Sequence, residues 1–126
     1  MSKISSLFLL SLIMFLISCT QGHIVYTTPD GKQKKACETE YTWAPSIDKY
    51  AVEYILSYCT KRAIAKGYMV QDKSLVDKKL TIVPPPFNKK WTHKLAKDMH
   101  KAGKINNKEY GYLIAYLDLG HNKAHK

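Results

Sequence analysis

The chain is short and strongly basic. It has 126 residues, 20 lysines and arginines against 10 aspartates and glutamates, and a formal net charge of +10. This length favours a single domain with one modest core. Arg62 is the one arginine, and the other 19 basic residues are lysines. Because phosphate and carboxylate sites favour the planar arginine fork, the composition favours a solvated lysine surface over a specific anion site.

No sequence motif indicates catalysis. The chain has neither a glycine-rich phosphate loop nor a Gly-x-Ser-x-Gly nucleophile motif. The nearest acidic pairs, Asp48 with Glu53 and Asp72 with Asp77, are five residues apart, which turns them to different faces of a helix. We therefore predict no enzyme, no catalytic residues and no cofactor, with a small hydrolase as an alternative.

The first residues have the pattern of an export signal. Lys3 is followed by an apolar run from Leu7 to Ile17, interrupted by Ser11. A bilayer-spanning helix needs about 20 apolar residues, so this run is too short to span and is typical of a signal peptide.

The run ends at Leu16-Ile17-Ser18-Cys19, which resembles the lipobox of bacterial lipoproteins. The resemblance implies that residues 1–18 are removed and that lipid on Cys19 anchors the protein to a membrane of the cell envelope. Thr20 follows the cysteine, which favours the outer membrane if the host is Gram-negative. An ordinary secretory signal is the alternative. Export argues against a nucleic-acid partner.

Two further cysteines, Cys37 and Cys59, form an even pair in a compartment that permits disulfides. A bridge between them would stabilise the fold by about 3 kcal/mol on the chain-entropy model. Two buried free thiols are the alternative.

The elements of the exported part begin with a tether and a hairpin. Residues 19–23 are predicted as the lipidated tether, and the β-branched, aromatic segment 24–28 as a strand. Pro29-Asp30-Gly31 predicts a turn, and residues 32–40 predict the returning strand.

The clearest helix follows, with Ser46 as its predicted cap and an end near Ala65, before Lys66-Gly67. Its steps of three and four draw one apolar stripe, which comprises Ile47, Tyr50, Ala51, Tyr54, Ile55 and Tyr58.

The next segment is less regular. Residues 80–83 predict a short strand, and Pro84-Pro85-Pro86 predicts a stiff connector, or alternatively a partner-binding segment. Phe87 and Trp91 are expected to seat this connector on the core.

Two helices complete the domain as an antiparallel hairpin. The first is predicted over 89–102, with an apolar face of Trp91, Leu95, Met99 and Ala102. The second begins at Asn106, with Glu109 in position for a capping box, and ends near Gly120. Residues 95–119, with their Gly-Lys-Ile turn and following Glu-Tyr, resemble the short C-terminal helix-turn-helix module that supports oligomerisation or localisation in many bacterial proteins. Residues 121–126 are predicted to be a flexible basic tail.

The histidines do not predict a metal site. His93 and His100 are two helical turns apart, about 10 Å, which is too far for one ion. His121 and His125 have a zinc-binding spacing but no third ligand nearby in sequence.

Tyrosine is unusually frequent, with nine in the chain. Its ring can be buried while its hydroxyl stays in water, so it suits both cores and binding surfaces. Both uses are open for the two helical groups, which are Tyr50, Tyr54 and Tyr58, and Tyr110, Tyr112 and Tyr116.

These patterns together predict a small, helix-dominated α+β fold with about three helices, an N-terminal hairpin and one disulfide, as a single domain over 24–120. The expected function is that of a membrane-anchored envelope lipoprotein, acting as a non-enzymatic binding or assembly module for another envelope protein. One alternative is a binder of anionic lipid or polymer, such as lipopolysaccharide or peptidoglycan, through the lysine-rich surface. Another is a small hydrolase or metal-binding protein.

Overall fold

A computed structural model of the chain describes residues 20–121. The small α+β class is confirmed: three helices accompany a three-stranded antiparallel sheet of order β2-β1-β3. The predicted signal peptide, Cys19 and residues 122–126 lie outside the described residues. The elements in chain order are β1 (Thr20–Thr27), β2 (Gln33–Tyr41), α1 (Pro45–Ala65), β3 (Met69–Val70), a 3-10 helix (Lys73–Asp77), α2 (His93–Lys101) and α3 (Asn107–Asp118).

The predicted hairpin is confirmed, but it begins earlier than expected. Thr20 pairs with Tyr41, and the ladder continues to Thr27 opposite Gln33. The predicted tether is therefore wrong for residues 20–23, which belong to β1. That segment is poor in strand-forming side chains, so its pairing with β2 overrides its local propensity.

A β-bulge brings the two core cysteines together. The register shifts between Gly22 and Ile24, so one residue of β1 faces two residues of β2. Cys37 lies in the bulge with a φ of 55°, and both it and the preceding Ala36 are half-buried, although neighbouring side chains alternate faces in a regular strand. Cys37 bonds to Cys59 of α1, with their Cα atoms 6.3 Å apart. The predicted disulfide is confirmed.

Helix α1 starts one residue before the predicted cap. Pro45 occupies its first turn, and Ala44 precedes it without a side-chain capping bond. A proline is preorganised for a first helical position, so Ser46 lies inside the helix and the prediction that it caps α1 is wrong. The predicted end is confirmed, because α1 stops at Ala65 and Gly67 follows with a φ of 85°.

The helix hairpin differs from prediction at its start. Helix α2 begins at His93 rather than Lys89, because the Thr92 hydroxyl accepts the Leu95 N–H at 3.1 Å and caps the helix there. Ala102 is exposed rather than part of the apolar face. Helix α3 has the predicted capping box between Asn106 and Glu109.

The connector before α2 is held by a side chain, not by a strand ladder. Residues 80–83 form no strand, so that prediction is wrong. Instead, the buried Trp91 donates its Nε1–H to the Val83 carbonyl at 2.7 Å. Phe87 does not seat on the core as predicted, because 91% of it is exposed.

Helices α1 and α3 cross closely and run in the same direction. A Cβ on Gly111 would lie 2.7 Å from the Ile47 carbonyl oxygen, so this position has no room for a side chain. Further along, the Tyr58 and His121 rings meet at 4.8 Å. The large buried cluster around this crossing comprises Ile47, Trp91, Ala96, Ile105, Tyr110, Leu113, Ile114 and Leu117.

Candidate functional site

The six helical tyrosines do not share one surface. Tyr54, Tyr110 and Tyr112 are buried, and the Tyr54 and Tyr112 rings meet edge to face at 5.3 Å. These three therefore serve the core, which leaves them unavailable to a partner. The three half-buried members of the predicted interface are Tyr50, Tyr58 and Tyr116.

Tyr58 and Tyr116 belong to a small cluster around His121. The His121 ring lies 4.8 Å from Tyr58 and 5.5 Å from Tyr116, and the Arg62 guanidinium lies over Tyr58 at 5.6 Å. His121 was predicted to begin the flexible tail, but it packs on these rings. Its contacts are aromatic, so they add packing at the end of α3 and no chemistry.

A polar cluster connects β2 with the helix hairpin. The Asp118 carboxylate lies 2.7 Å from His93 Nε2 and accepts the Tyr41 hydroxyl at 2.9 Å. Burial, followed by this hydrogen bond to Asp118, raises the pKa of Tyr41 well above its usual value. The phenol therefore stays protonated and acts as a donor, so the cluster does not supply an activated nucleophile.

Asp48 is an acidic residue buried in the core. It is 1% exposed, and neither carboxylate oxygen has a hydrogen-bond partner within the described chain. Its position in the first turn of α1 gives it a favourable interaction with the helix dipole. No group of three His, Cys, Asp or Glu in residues 20–121 is placed to hold a metal ion.

An open, largely apolar groove of about 450 Å³ is here called the Met69 groove. Met69 is 72% exposed and Ile64 is 41% exposed, and both line it. The groove lies between the end of α1, β3 and the 3-10 helix. Its lining residues are Ile64, Tyr68, Met69, Val70, Lys73, Val76 and Asp77.

Local structure explains why these apolar side chains are exposed. The Gly67 turn reverses the chain from α1 into β3, where Met69 and Val70 pair with Thr27 and Tyr26. Neighbouring strand residues face opposite sides, so Val70 is buried while Met69 points outward.

The far wall of the groove is fixed to α1. Ser57, which is buried, donates its hydroxyl to the Leu75 carbonyl at 2.5 Å, and the Lys61 ammonium donates to the Val76 carbonyl. Asp72 caps the 3-10 helix by accepting the Ser74 N–H at 3.0 Å, and the bond from the Ser74 hydroxyl lowers the pKa of Asp72. These contacts hold the 3-10 helix against α1 and so fix this wall of the groove.

Sequence reasoning missed this groove because it missed β3. A signal was available: Tyr68-Met69-Val70 follows directly after the glycine that ends α1. Such a short apolar run after a helix-ending glycine is compatible with a strand, but two residues give no periodicity to detect.

A lysine depression of about 370 Å³ lies at the start of α2. Lys89, Lys90 and Lys94 line it together with Asp98, whose carboxylate lies 3.0 Å from the Lys94 ammonium. This ion pair neutralises part of the local charge and is exposed, so it adds little stability.

Comparisons with known proteins do not assign this chain to a family. No protein-family model, curated protein or solved structure matches it. Within residues 20–121, no helix has the length and apolar character needed to cross a membrane.

Proposed function

We propose that this chain is a membrane-anchored envelope lipoprotein and a non-enzymatic binding module for another envelope protein. In this proposal, lipid on Cys19 holds the domain at the membrane, and the Met69 groove receives an apolar segment of the partner. The lipobox resemblance supports the anchor. The exposure of Ile64 and Met69 in an open groove supports the binding role, because exposed apolar surface of this kind marks interaction sites.

The chemistry of the groove suggests the partner segment. Its lining is mostly apolar and includes Met69, a residue whose flexible side chain adapts to different apolar surfaces. Lys73 lines the groove, and the exposed Lys66 follows α1 nearby. We expect a short apolar segment flanked by acidic residues, for which these lysines provide complementary charge.

The groove is also well placed for a tethered protein. Ile64 lies about 30 Å along the α1 axis from Pro45, at the opposite end of the helix from the Thr20–Tyr41 pair that begins the sheet. A lipid on Cys19 would leave this site facing away from its own anchor.

The test is partner capture from native membranes with the full-length protein. We expect Met69→Glu, which adds a charge to an exposed groove residue, to abolish recovery of a stoichiometric partner. Gln71→Glu adds the same charge at an exposed neighbour outside the groove lining and should retain it. Equal recovery with both variants would reject the groove.

A separate measurement tests the anchor. The intact mass of the purified protein should correspond to residues 19–126 plus acyl chains, and Cys19→Ala should lose the acyl mass. A mass that lacks residues 1–18 but carries no acyl chains contradicts the lipoprotein assignment.

The lysine depression favours a second candidate function, binding of an anionic envelope polymer. Exposed charge is screened within a few ångströms at about 0.5 M salt, so such binding should disappear there. Lipopolysaccharide or peptidoglycan fragments that remain bound at this salt concentration would exclude a lysine-driven mode, as would unchanged binding by Lys89→Gln/Lys90→Gln.

A further inference from the structure

The point of lipid attachment and an exposed tryptophan share one end of the sheet. Thr20, the first residue of β1, pairs with Tyr41 near the end of β2. Trp43 follows two residues later and is 62% exposed. Cys19 is joined to Thr20 by one peptide bond, about 3.8 Å between Cα atoms. In the proposed lipoprotein, the acyl chains are attached one residue before the Thr20–Tyr41 pair, and Trp43 lies two residues after that pair.

Aromatic contacts connect Trp43 to the turn between α2 and α3. The Tyr110 ring stacks on Trp43 at 6.2 Å between centroids and on His100 at 4.4 Å. Because Tyr110 itself is buried in the core, these contacts hold the exposed indole in a defined position. Trp43 is therefore a fixed exposed ring rather than a side chain on a loose loop.

That turn is basic. Lys101, Lys104 and Lys108 are exposed, and Lys108 lies over the Tyr112 ring at 5.4 Å. Glu109, in the first turn of α3, follows Lys108, and its carboxylate accepts the Asn106 N–H at 3.0 Å. These three lysines with Trp43 are here called the Trp43 surface.

We infer that the Trp43 surface docks onto an anionic phospholipid bilayer when Cys19 is acylated. This inference rests on the proposed lipid anchor. Tryptophan favours the headgroup level of a membrane, where its ring is partly buried and its N–H stays in a polar environment. Lysines near an anionic surface add electrostatic attraction. The anchor makes docking intramolecular, so a weak contact is sufficient.

Docking fixes the orientation of the domain. With the Trp43 surface on the bilayer, the end of α1 that carries Ile64 and the Met69 groove is directed away from the lipid. A flexible tether would leave that orientation open, but β1 begins at Thr20 and provides almost no tether. In this proposal the domain binds the bilayer directly, and this contact leaves the Met69 groove facing away from the membrane.

The experiment uses the acylated protein in vesicles of phosphatidylethanolamine and phosphatidylglycerol, with and without bromine on the acyl chains. Bromine quenches tryptophan fluorescence within the bilayer. The chain has two tryptophans, and Trp43→Phe leaves the buried Trp91 as the reference. We expect brominated lipid to quench the wild-type emission and to leave the Trp43→Phe emission unchanged.

The outcomes separate docking from anchoring. Protein that floats with the vesicles but shows equal emission with and without bromine overturns docking and leaves the anchor intact. Equal quenching of the wild type and Trp43→Phe also overturns it. Protein that carries no acyl chain and does not float overturns the anchor and, with it, the docking inference.

Charge variants test the lysine contribution. Replacing Lys101, Lys104 and Lys108 by Gln should lower the ratio of docked to undocked protein on the order of 100-fold, the product of about fivefold for each lysine beside an anionic surface. The matched control, Gln at the exposed Lys32, Lys34 and Lys35, should quench like the wild type. An equal loss in both triple variants overturns the assignment of docking to the Trp43 surface.

Discussion

The two halves of α1 are held by different means. The N-terminal half of α1, α2 and α3 are together called the helical half of the molecule. Here α1 contributes Ile47 to a cluster of eight buried residues. The C-terminal half of α1, the three strands and the 3-10 helix are together called the sheet half. Here α1 contributes Ala63 to a buried cluster with Ile24 and Val70. The sheet half also has the disulfide. Extensive apolar burial therefore holds the helical half together, whereas a covalent bond supplements a smaller apolar cluster in the sheet half.

The difference follows from what each half can bury. Two paired strands alone are marginal in water, and β3 adds two residues at the edge of the sheet. The sheet half therefore leaves Ile64 and Met69 exposed, whereas the helical half closes around Leu113, which is fully buried. The half with the smaller buried cluster, fixed by a bridge, contains the open Met69 groove.

Of the changes proposed here, removing the disulfide should lower stability the most, and it should act mainly on the sheet half. We expect Cys37→Ser/Cys59→Ser to lower the free energy of unfolding by about 3 kcal/mol, because the 22-residue closure is lost from the unfolded chain. Urea unfolding measures this loss of free energy for the whole domain. Amide exchange should accelerate in β1 and β2 much more than in α3; a uniform acceleration would show that the two halves are one cooperative unit.

Gly111→Ala should weaken the helical half. Its new Cβ would lie 2.7 Å from the Ile47 carbonyl oxygen and 2.7 Å from Tyr50 Cβ. Such overpacking costs about 1–3 kcal/mol, while alanine regains about 1 kcal/mol of helix propensity. We expect a net loss of about 1 kcal/mol in urea unfolding. Lys108→Ala, an exposed change on the same helix, is the control. Unchanged or greater stability for Gly111→Ala would mean that the crossing can widen at little cost.

The helical half was the more predictable from sequence. Its apolar residues recur every three or four positions, and the capping box at Asn106 and Glu109 is a local signal. The sequence pattern places the start of α2 too early because Lys89 and Lys90 do not interrupt a helical pattern. The Thr92 cap, where the helix begins, was not predicted.

The sheet half was less predictable because its contacts are distant in sequence. Cysteine counting predicted the Cys37–Cys59 bond, but the bulge that permits it depends on pairing with β1. Residues 20–23 and β3 become strands through partners, not through their own propensity. The Met69 groove, which depends on β3, was therefore missed entirely.

Alkaline pH should act on the helical half through its buried tyrosines. Burial, with Glu53 nearby, raises the pKa of Tyr112 to about 12, and burial also raises the pKa of Tyr54 and Tyr110. The unfolded pKa is about 10, so the neutral phenols favour folding fully below pH 10, and this contribution is lost as the pH rises towards 12. Stability should fall over that range.

The measurement is urea unfolding at several pH values, with tyrosinate absorbance recorded in parallel. Tyr112→Phe removes one of the shifted groups, so its stability should fall less steeply than that of the wild type between about pH 10 and 12. Identical slopes for the two proteins would contradict the assignment of the Tyr112 shift.

The smallest expected effect is at the Asp118 cluster, where β2 meets the helix hairpin. His93→Gln removes an exposed partner of Asp118, and exposed ion pairs contribute about 0–1 kcal/mol. Tyr41→Phe removes the half-buried hydroxyl donor to the same carboxylate and should cost about 1 kcal/mol, typical of one hydrogen bond. If urea unfolding shows that His93→Gln is the more destabilising of the two variants, the helix hairpin depends on its surface polar contacts. The contrast between a half held by apolar burial and a half held by a disulfide would then be contradicted. If Tyr41→Phe costs more, the bond from β2 is the stronger polar connection, because the half-buried phenol is less accessible to competing water than the imidazole.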